Sequence, residues 1–145
     1  MKLLILILLC SFSTSSIWLN DFEAAKRISS EKHELILLNF SGSDWCGPCI
    51  RFRKEIFDSE VFKQFAGDNI VLVNADFPRL KKHQLVKELI KQNELLAEKY
   101  NPDGRFPFTL LIDAEGKVLK TYDGFPGISA DVFTNEIKAI CNAAK

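Results

Sequence analysis

The sequence predicts an α/β layered domain. Two continuous apolar runs of strand length carry most of that prediction. They are Leu35-Ile36-Leu37-Leu38-Asn39-Phe40 and Ile70-Val71-Leu72-Val73-Asn74-Ala75. Neither alternates with polar residues, so both read as strands buried on two faces. Stretches with apolar residues at helical spacing lie before, between and after them, and a hairpin pattern follows. The resulting order is helix–strand–helix–strand–helix, then hairpin and helix, which is a layered α/β arrangement.

Composition agrees. The chain has 145 residues, 47% hydrophobic and 26% charged. That suits one domain with a single sizeable core. It excludes a disordered chain, a collagen-like chain and a disulfide-packed miniprotein. The twelve Phe residues suit aromatic packing. Nineteen basic residues balance nineteen acidic ones, and without Lys2 the count is 18 against 19. Such a balance leaves no electrostatic footprint for nucleic acid or an anionic membrane surface.

Residues 1–16 read as an address. Met1-Lys2 precedes the apolar run Leu3 to Leu9, and Cys10-Ser11-Phe12-Ser13-Thr14-Ser15-Ser16 follows. A positive start, a short apolar stretch and a small-residue run are the parts of a secretory signal. The run is far short of the roughly 20 residues of a spanning helix. Residues 1–16 are therefore expected to be removed, leaving residues 17–145 as an exported, periplasmic domain. A lipid-modified Cys10 anchoring the chain to a membrane is the alternative, although Leu9 stands where the lipoprotein pattern has a small residue.

The mature elements follow in order. Residues 18–32 carry Trp18, Leu19, Phe22, Ala25 and Ile28 at helical spacing, with Asn20 or Asp21 as cap. The first buried strand comes next. After it, Ile50, Phe52, Arg53, Ile56 and Phe57 suit a helix, and Asp58 or Ser59 restarts a short one through Val61, Phe62 and Phe65. The second strand leads to an amphipathic helix over residues 80–100, with Leu85, Val86, Leu89, Leu96 and Tyr100 inward. Asn101-Pro102-Asp103-Gly104 is a turn. Residues 108–113 form a third strand, and Ala114-Glu115-Gly116 turns into an alternating strand over 117–122. Ser129 caps a last helix with Val132, Phe133, Ile137, Ile140, Cys141 and Ala144 on one face.

Chemistry concentrates at Trp45-Cys46-Gly47-Pro48-Cys49. Two cysteines two residues apart, at a strand-to-helix junction, put one sulfur at the first helical turn. Unpaired N–H groups and the helix dipole favour a thiolate there. A lowered pKa makes Cys46 a good nucleophile and leaving group in thiol–disulfide exchange. Cys49, one turn on, can attack a mixed disulfide at Cys46. Pro48 is tolerated in the first turn, and Gly47 keeps the approach to Cys46 open. Zinc would need two more ligands, but only His33 and His83 are present and there is no second cysteine pair. Haem attachment would need His where Ile50 stands. No metal and no cofactor are expected.

The segment Phe40-Ser41-Gly42-Ser43-Asp44-Trp45-Cys46-Gly47-Pro48-Cys49 resembles the active site of thioredoxin. The order of the rest agrees: a strand ending Asn74-Ala75-Asp76, Phe106-Pro107 entering a strand, Asp113-Ala114-Glu115-Gly116 at a hairpin, and a terminal helix. The resemblance covers nearly all of residues 18–145. It implies the thioredoxin fold, a central mixed sheet flanked by helices on both faces. It also implies that Cys46 attacks, that Cys49 resolves, and that Pro107 is a cis-proline facing the pair. Phe106 would offer main-chain hydrogen bonds to an extended substrate, and Trp45 would belong to the docking surface.

Three departures from thioredoxin stand out. Asn39 occupies the strand position of a buried Asp that handles the proton of the resolving cysteine, and Asn cannot accept a proton at neutral pH. Asp44, Glu55 or a water would have to help. Phe108 follows the proline where thioredoxin has Thr, which makes the groove more apolar. Thirdly, 31 positions separate Asp76 from Pro107, about twice the usual number, and they hold a Lys-rich helix. This pattern is similar to exported thioredoxin-like proteins of bacteria.

The implied activity is reduction of protein disulfides by a monomer, with a membrane electron-donor protein as partner. An oxidase or isomerase of the same fold, or a binding or chaperone module, are the rivals. Cys141 reads as a buried structural thiol, and His33 and His83 as surface residues. Asn39-Phe40-Ser41 matches a glycosylation acceptor by chance, since it lies on a buried strand. Asp103 and Asp113 read as turn residues. Arg79-Leu80-Lys81-Lys82-His83 reads as a solvated helix start, with a partner-docking patch as the alternative.

Overall fold

A computed structural model of the protein describes residues 18–145. The signal-sequence reading of residues 1–16, with its Cys10 alternative, lies outside the described residues. The strands are β1 (Trp18–Leu19), β2 (Leu35–Ser41), β3 (Ile70–Asp76), β4 (Phe108–Ile112) and β5 (Val118–Asp123). The helices are α1 (Phe22–Lys32), α2 (Gly47–Phe52), α3 (Glu60–Asn69), α4 (Lys87–Tyr100) and α5 (Ala130–Ala143).

All seven residues of β2 are buried, as its unbroken apolar run predicts. It occupies the centre of a sheet ordered β1-β3-β2-β4-β5. β1 and β2 both run parallel to β3, whereas β4 is antiparallel to β2 and β5. The sheet is therefore mixed, as the resemblance implies. Side chains of β2 alternate between two cores. Leu35 and Leu37 face α3, α5 and the end of α2; Ile36, Leu38 and Phe40 face α1 and α4.

The first core is aromatic. Phe133 of α5 lies against Phe52, Phe57, Phe62 and Tyr122, with ring centroids 4.9–6.0 Å apart. Phe52, Phe57, Phe62 and Phe133 are each no more than 1% exposed. Burying one such ring contributes about 1.5–3 kcal/mol. Cys141 sits in this core at 4% exposure. Burial pushes its thiol up to about 11.

Helix starts follow the side-chain chemistry. Asp21, Ser59 and Ser129 cap α1, α3 and α5 by accepting N–H groups of Ala24, Phe62 and Val132. Two boundaries and one helix face differ from the sequence reading. Trp18 and Leu19 are not helical; they pair with Leu72 and Val73 as an edge strand. Residues 80–86 do not open α4. A short 3-10 turn at Lys81–His83 precedes an extended stretch, and the helix starts at Lys87. On α5, Val132 and Ala144 face solvent, while Phe133, Thr134, Ile137 and Cys141 face the core.

Candidate active site

The loop from β2 to α2 sets the geometry. Cys46 is the N-cap of α2, with φ −90° and ψ 99°, and its Sγ accepts the N–H of Cys49 at 3.3 Å. The sulfur so takes one of the four N–H groups that a helix start leaves unpaired. Gly47 and Pro48 fill the next two positions, where the missing proline N–H breaks no helical bond. Beyond Phe52 the helix widens into one π turn, Arg53–Phe57, closed by the N–H of Asp58 to the carbonyl of Arg53 at 2.8 Å.

Cys46 and Cys49 form a disulfide, with their Cα atoms 5.2 Å apart. Cys49 is no more buried than Cys46; both are 5% exposed. The Phe106–Pro107 peptide is cis, and Pro107 is buried.

Trp45 is held from four sides. Its Nε1–H donates to the Phe77 carbonyl at 2.7 Å. Its ring meets Phe106 edge-on at 5.5 Å, and the Arg79 guanidinium stacks 3.7 Å from its centroid. Beneath it lies Gly42, where a Cβ would stand 2.2 Å from the indole. Glycine is required there because the ring occupies the side chain's space. The sequence carries no local signal of this.

Asp44 is a clamp rather than a proton helper. Its carboxylate accepts the N–H groups of Arg79 and Leu80, both at 2.9 Å, and meets His83 Nδ1 at 3.0 Å. The Arg79 amide, with the Leu80 amide and the His83 imidazole, holds its pKa below the usual carboxylate value. Glu55 is exposed and pairs with Arg51. Neither carboxylate lines the pocket of about 270 Å³ beside Cys49. That pocket holds Asn39, Asn74 and Ser41, joined through the Asn74 Oδ1, which accepts from Asn39 Nδ2 at 3.0 Å and Ser41 Oγ at 3.1 Å. The Thr109 hydroxyl donates to Asn39 Oδ1 at 2.8 Å. Asp58 lines the pocket but is paired with Arg53. A neutral amide network thus stands where a buried acid was absent from the sequence.

The remaining candidates lie apart. His33 ends α1 with φ 55°. Asp113 accepts the N–H groups of Glu115 and Lys117 as a turn residue, and Asp103 pairs with Arg105. Among the described residues, no group of three His, Cys, Asp or Glu is placed to hold a metal. Nor is any helix among them long and apolar enough to cross a membrane.

The fold is shared with a thioredoxin from Thermus thermophilus, at 11% identity and a TM-score of 0.65, covering 89% of this chain and 90% of that one. A family model described as Thioredoxin-like matches residues 17–114. The chain belongs to the thioredoxin-like family. This thioredoxin-like chain is also 39% identical over 122 residues to disulfide bond reductase DsbH of Chlamydia pneumoniae, covering 84% of this chain and 70% of that one. A solved DsbH oxidoreductase matches with a TM-score of 0.79 at 30% identity, covering 97% and 95% of the two chains. Thioredoxin-related protein DsbJ of the same organism is 31% identical over 113 residues; the match covers 78% of this chain but 32% of DsbJ. With its closed CXXC disulfide, the thioredoxin-like chain is a thiol–disulfide oxidoreductase.

Proposed function

We propose that residues 17–145 form an exported, periplasmic protein-disulfide reductase, released from a signal peptide at residues 1–16. The observation that carries this reading is the Cys46–Cys49 pair at the start of α2, with the Cys46 sulfur facing the Cys49 N–H. In the dithiol form, the Cys46 thiolate attacks one sulfur of a substrate disulfide. That bond breaks, a mixed disulfide forms on Cys46, and the other substrate sulfur leaves as a thiolate and is protonated. Cys49 then loses its proton and attacks the Cys46 sulfur. The Cys46–Cys49 bond closes and the second substrate thiolate departs. The substrate gains two electrons and two protons, and the pair is oxidised.

The surroundings suit these steps. Gly47 and Pro48 are exposed on the face a partner meets, with Cys46 just beneath at 5% exposure. Trp45, Phe106 and cis-Pro107 frame the approach for an extended substrate segment. Asn39 cannot take the Cys49 proton, which leaves through the polar pocket to solvent. A membrane electron-donor protein restores the dithiol.

Direction rests on two supports. The Gly-Pro pair between the cysteines is that of thioredoxin, whose potential is about −270 mV. The relative from Chlamydia pneumoniae is named a disulfide bond reductase. Equilibration of the purified domain in thiol buffers of known potential tests the direction. A value near −270 mV is expected; one above about −180 mV would make the protein an oxidase or isomerase.

A further inference from the structure

The segment between β3 and α4 builds a second recess beside the redox pair. Its wall is Trp45, Phe77, Leu85, Ile90 and Phe106, and it encloses about 420 Å³. That is the size of a pocket for a large side chain or small ligand, typically about 300–1,000 Å³. Trp45 directly precedes Cys46, and Phe106 directly precedes cis-Pro107. Phe106 touches both Trp45 and Phe77, with centroids 5.5 and 5.4 Å away. The recess and the redox site therefore share an aromatic wall.

Arg79 lines the recess, and the 3-10 turn that carries Lys81 and Lys82 runs between its lining residues Arg79 and Gln84. Residues 79–87 contain Arg79, Lys81, Lys82 and Lys87 and no Asp or Glu. All four cations are exposed, and among the described residues none has an ion-pair partner. Two carboxylates stand against these four cations, Asp76 in the lining of the recess and Asp44 beside it; both keep their charge and are held by hydrogen bonds. Asp44 holds the Arg79 and Leu80 amides, and Asp76 accepts from Ser43 N–H, Ser43 Oγ and Ser41 Oγ. The clamp by Asp44 also fixes the segment, and the Arg79 guanidinium stands over the indole of Trp45, the residue before Cys46. The molecule as a whole is near neutral. This local excess is a feature of the segment and not of the protein.

We propose that this recess is a specificity subsite for acidic cysteine-bearing segments of substrate proteins. An apolar side chain enters between Trp45, Phe77 and Ile90, and Asp or Glu beside it pairs with Arg79, Lys81 and Lys82. The assignment rests on the reductase reading for its substrate class. Charge complementarity of this kind raises encounter rates and selects partners, and salt weakens it.

Two disulfide peptides with the same apolar core test it, one flanked by Asp and Glu and one by Lys. Mature protein at low ionic strength is expected to reduce the acidic peptide with a kcat/KM roughly tenfold higher. The ratio should shrink in added salt, and in K81E/K82E it should fall to one or invert. Equal kcat/KM for the two peptides, or a ratio unchanged in K81E/K82E, would overturn the subsite. Cysteine-free analogues of both peptides, followed by Trp fluorescence, read binding without redox turnover. Equal binding of those analogues would also overturn it, whatever the fate of the reductase reading. Failure to reduce hydroxyethyl disulfide would instead count against the reductase.

Discussion

The Asp44 carboxylate meets His83 Nδ1 at 3.0 Å while it accepts the amides of Arg79 and Leu80. Two positions before the first redox cysteine, one side chain thus holds a segment 35 to 39 residues away. The Asp44→Asn variant retains one acceptor oxygen and loses the charge. Hydrogen exchange at the Arg79 and Leu80 amides is expected to accelerate, with the β2 amides unchanged. The pH dependence has a definite sign. Bonding to the ionised form depresses the folded pKa below 3.8, so the clamp is fully present above that value. It is lost only as pH falls through the lower folded value. Protection of Arg79 and Leu80 that disappears above pH 4 would contradict this.

Gly42 predicts a second effect. A Cβ there would stand 2.2 Å from Trp45 Cε2. Gly42→Ala must displace the indole from Phe106 and from the Phe77 carbonyl. Protein-disulfide reduction should fall about tenfold to a hundredfold, as expected for small misplacements near reacting groups. A shifted Trp emission spectrum should accompany the loss. Unchanged emission with full activity would contradict the packing.

Asn39 offers a test of the proton route. Asn39→Asp removes the donor to Asn74 Oδ1 and sets a carboxyl oxygen against that acceptor, while the Thr109 hydroxyl still donates to the other oxygen. Loss of that bond should cost about 1–3 kcal/mol in urea unfolding. The same carboxylate can take the Cys49 proton, so release of substrate from the mixed disulfide should accelerate near neutral pH. Single-turnover release followed at several pH values checks this. Slower release would show that the amide network itself assists Cys49.

Cys141 should be silent. It is 4% exposed, and burial raises its thiol to about 11. Iodoacetamide applied to the reduced native protein near pH 8 should label the active-site thiol and leave Cys141 unmodified until urea is added. Peptide mass mapping separates the two sites. Rapid native labelling of Cys141 would mean that α5 opens.

Much of this architecture was legible in the chain. An unbroken apolar run such as Leu35 to Phe40 has one stable place, the middle of a sheet covered on both faces. Capping residues Asp21, Ser59 and Ser129 mark helix starts because the signal is local. What escaped was set by distant partners. A two-residue strand, Trp18–Leu19, is too short to show a period, and only pairing with Leu72 and Val73 defines it. Leu85 and Val86 keep helical spacing, yet bonds from Arg79, Leu80 and His83 to Asp44 hold the segment before them out of α4. Gly42 carried no mark of the indole above it. At the redox site the motif named the reacting pair, whereas the neutral network around Asn39 came from Asn74 and Thr109 on neighbouring strands.

Catalysed reduction of insulin by the mature domain, with dithiothreitol as electron source, tests the central claim most directly. Precipitation of the insulin B chain should begin much earlier than with dithiothreitol alone, and Cys46→Ser should abolish the acceleration. A wild-type domain that gives no acceleration, or a Cys46→Ser variant that keeps it, would contradict the account.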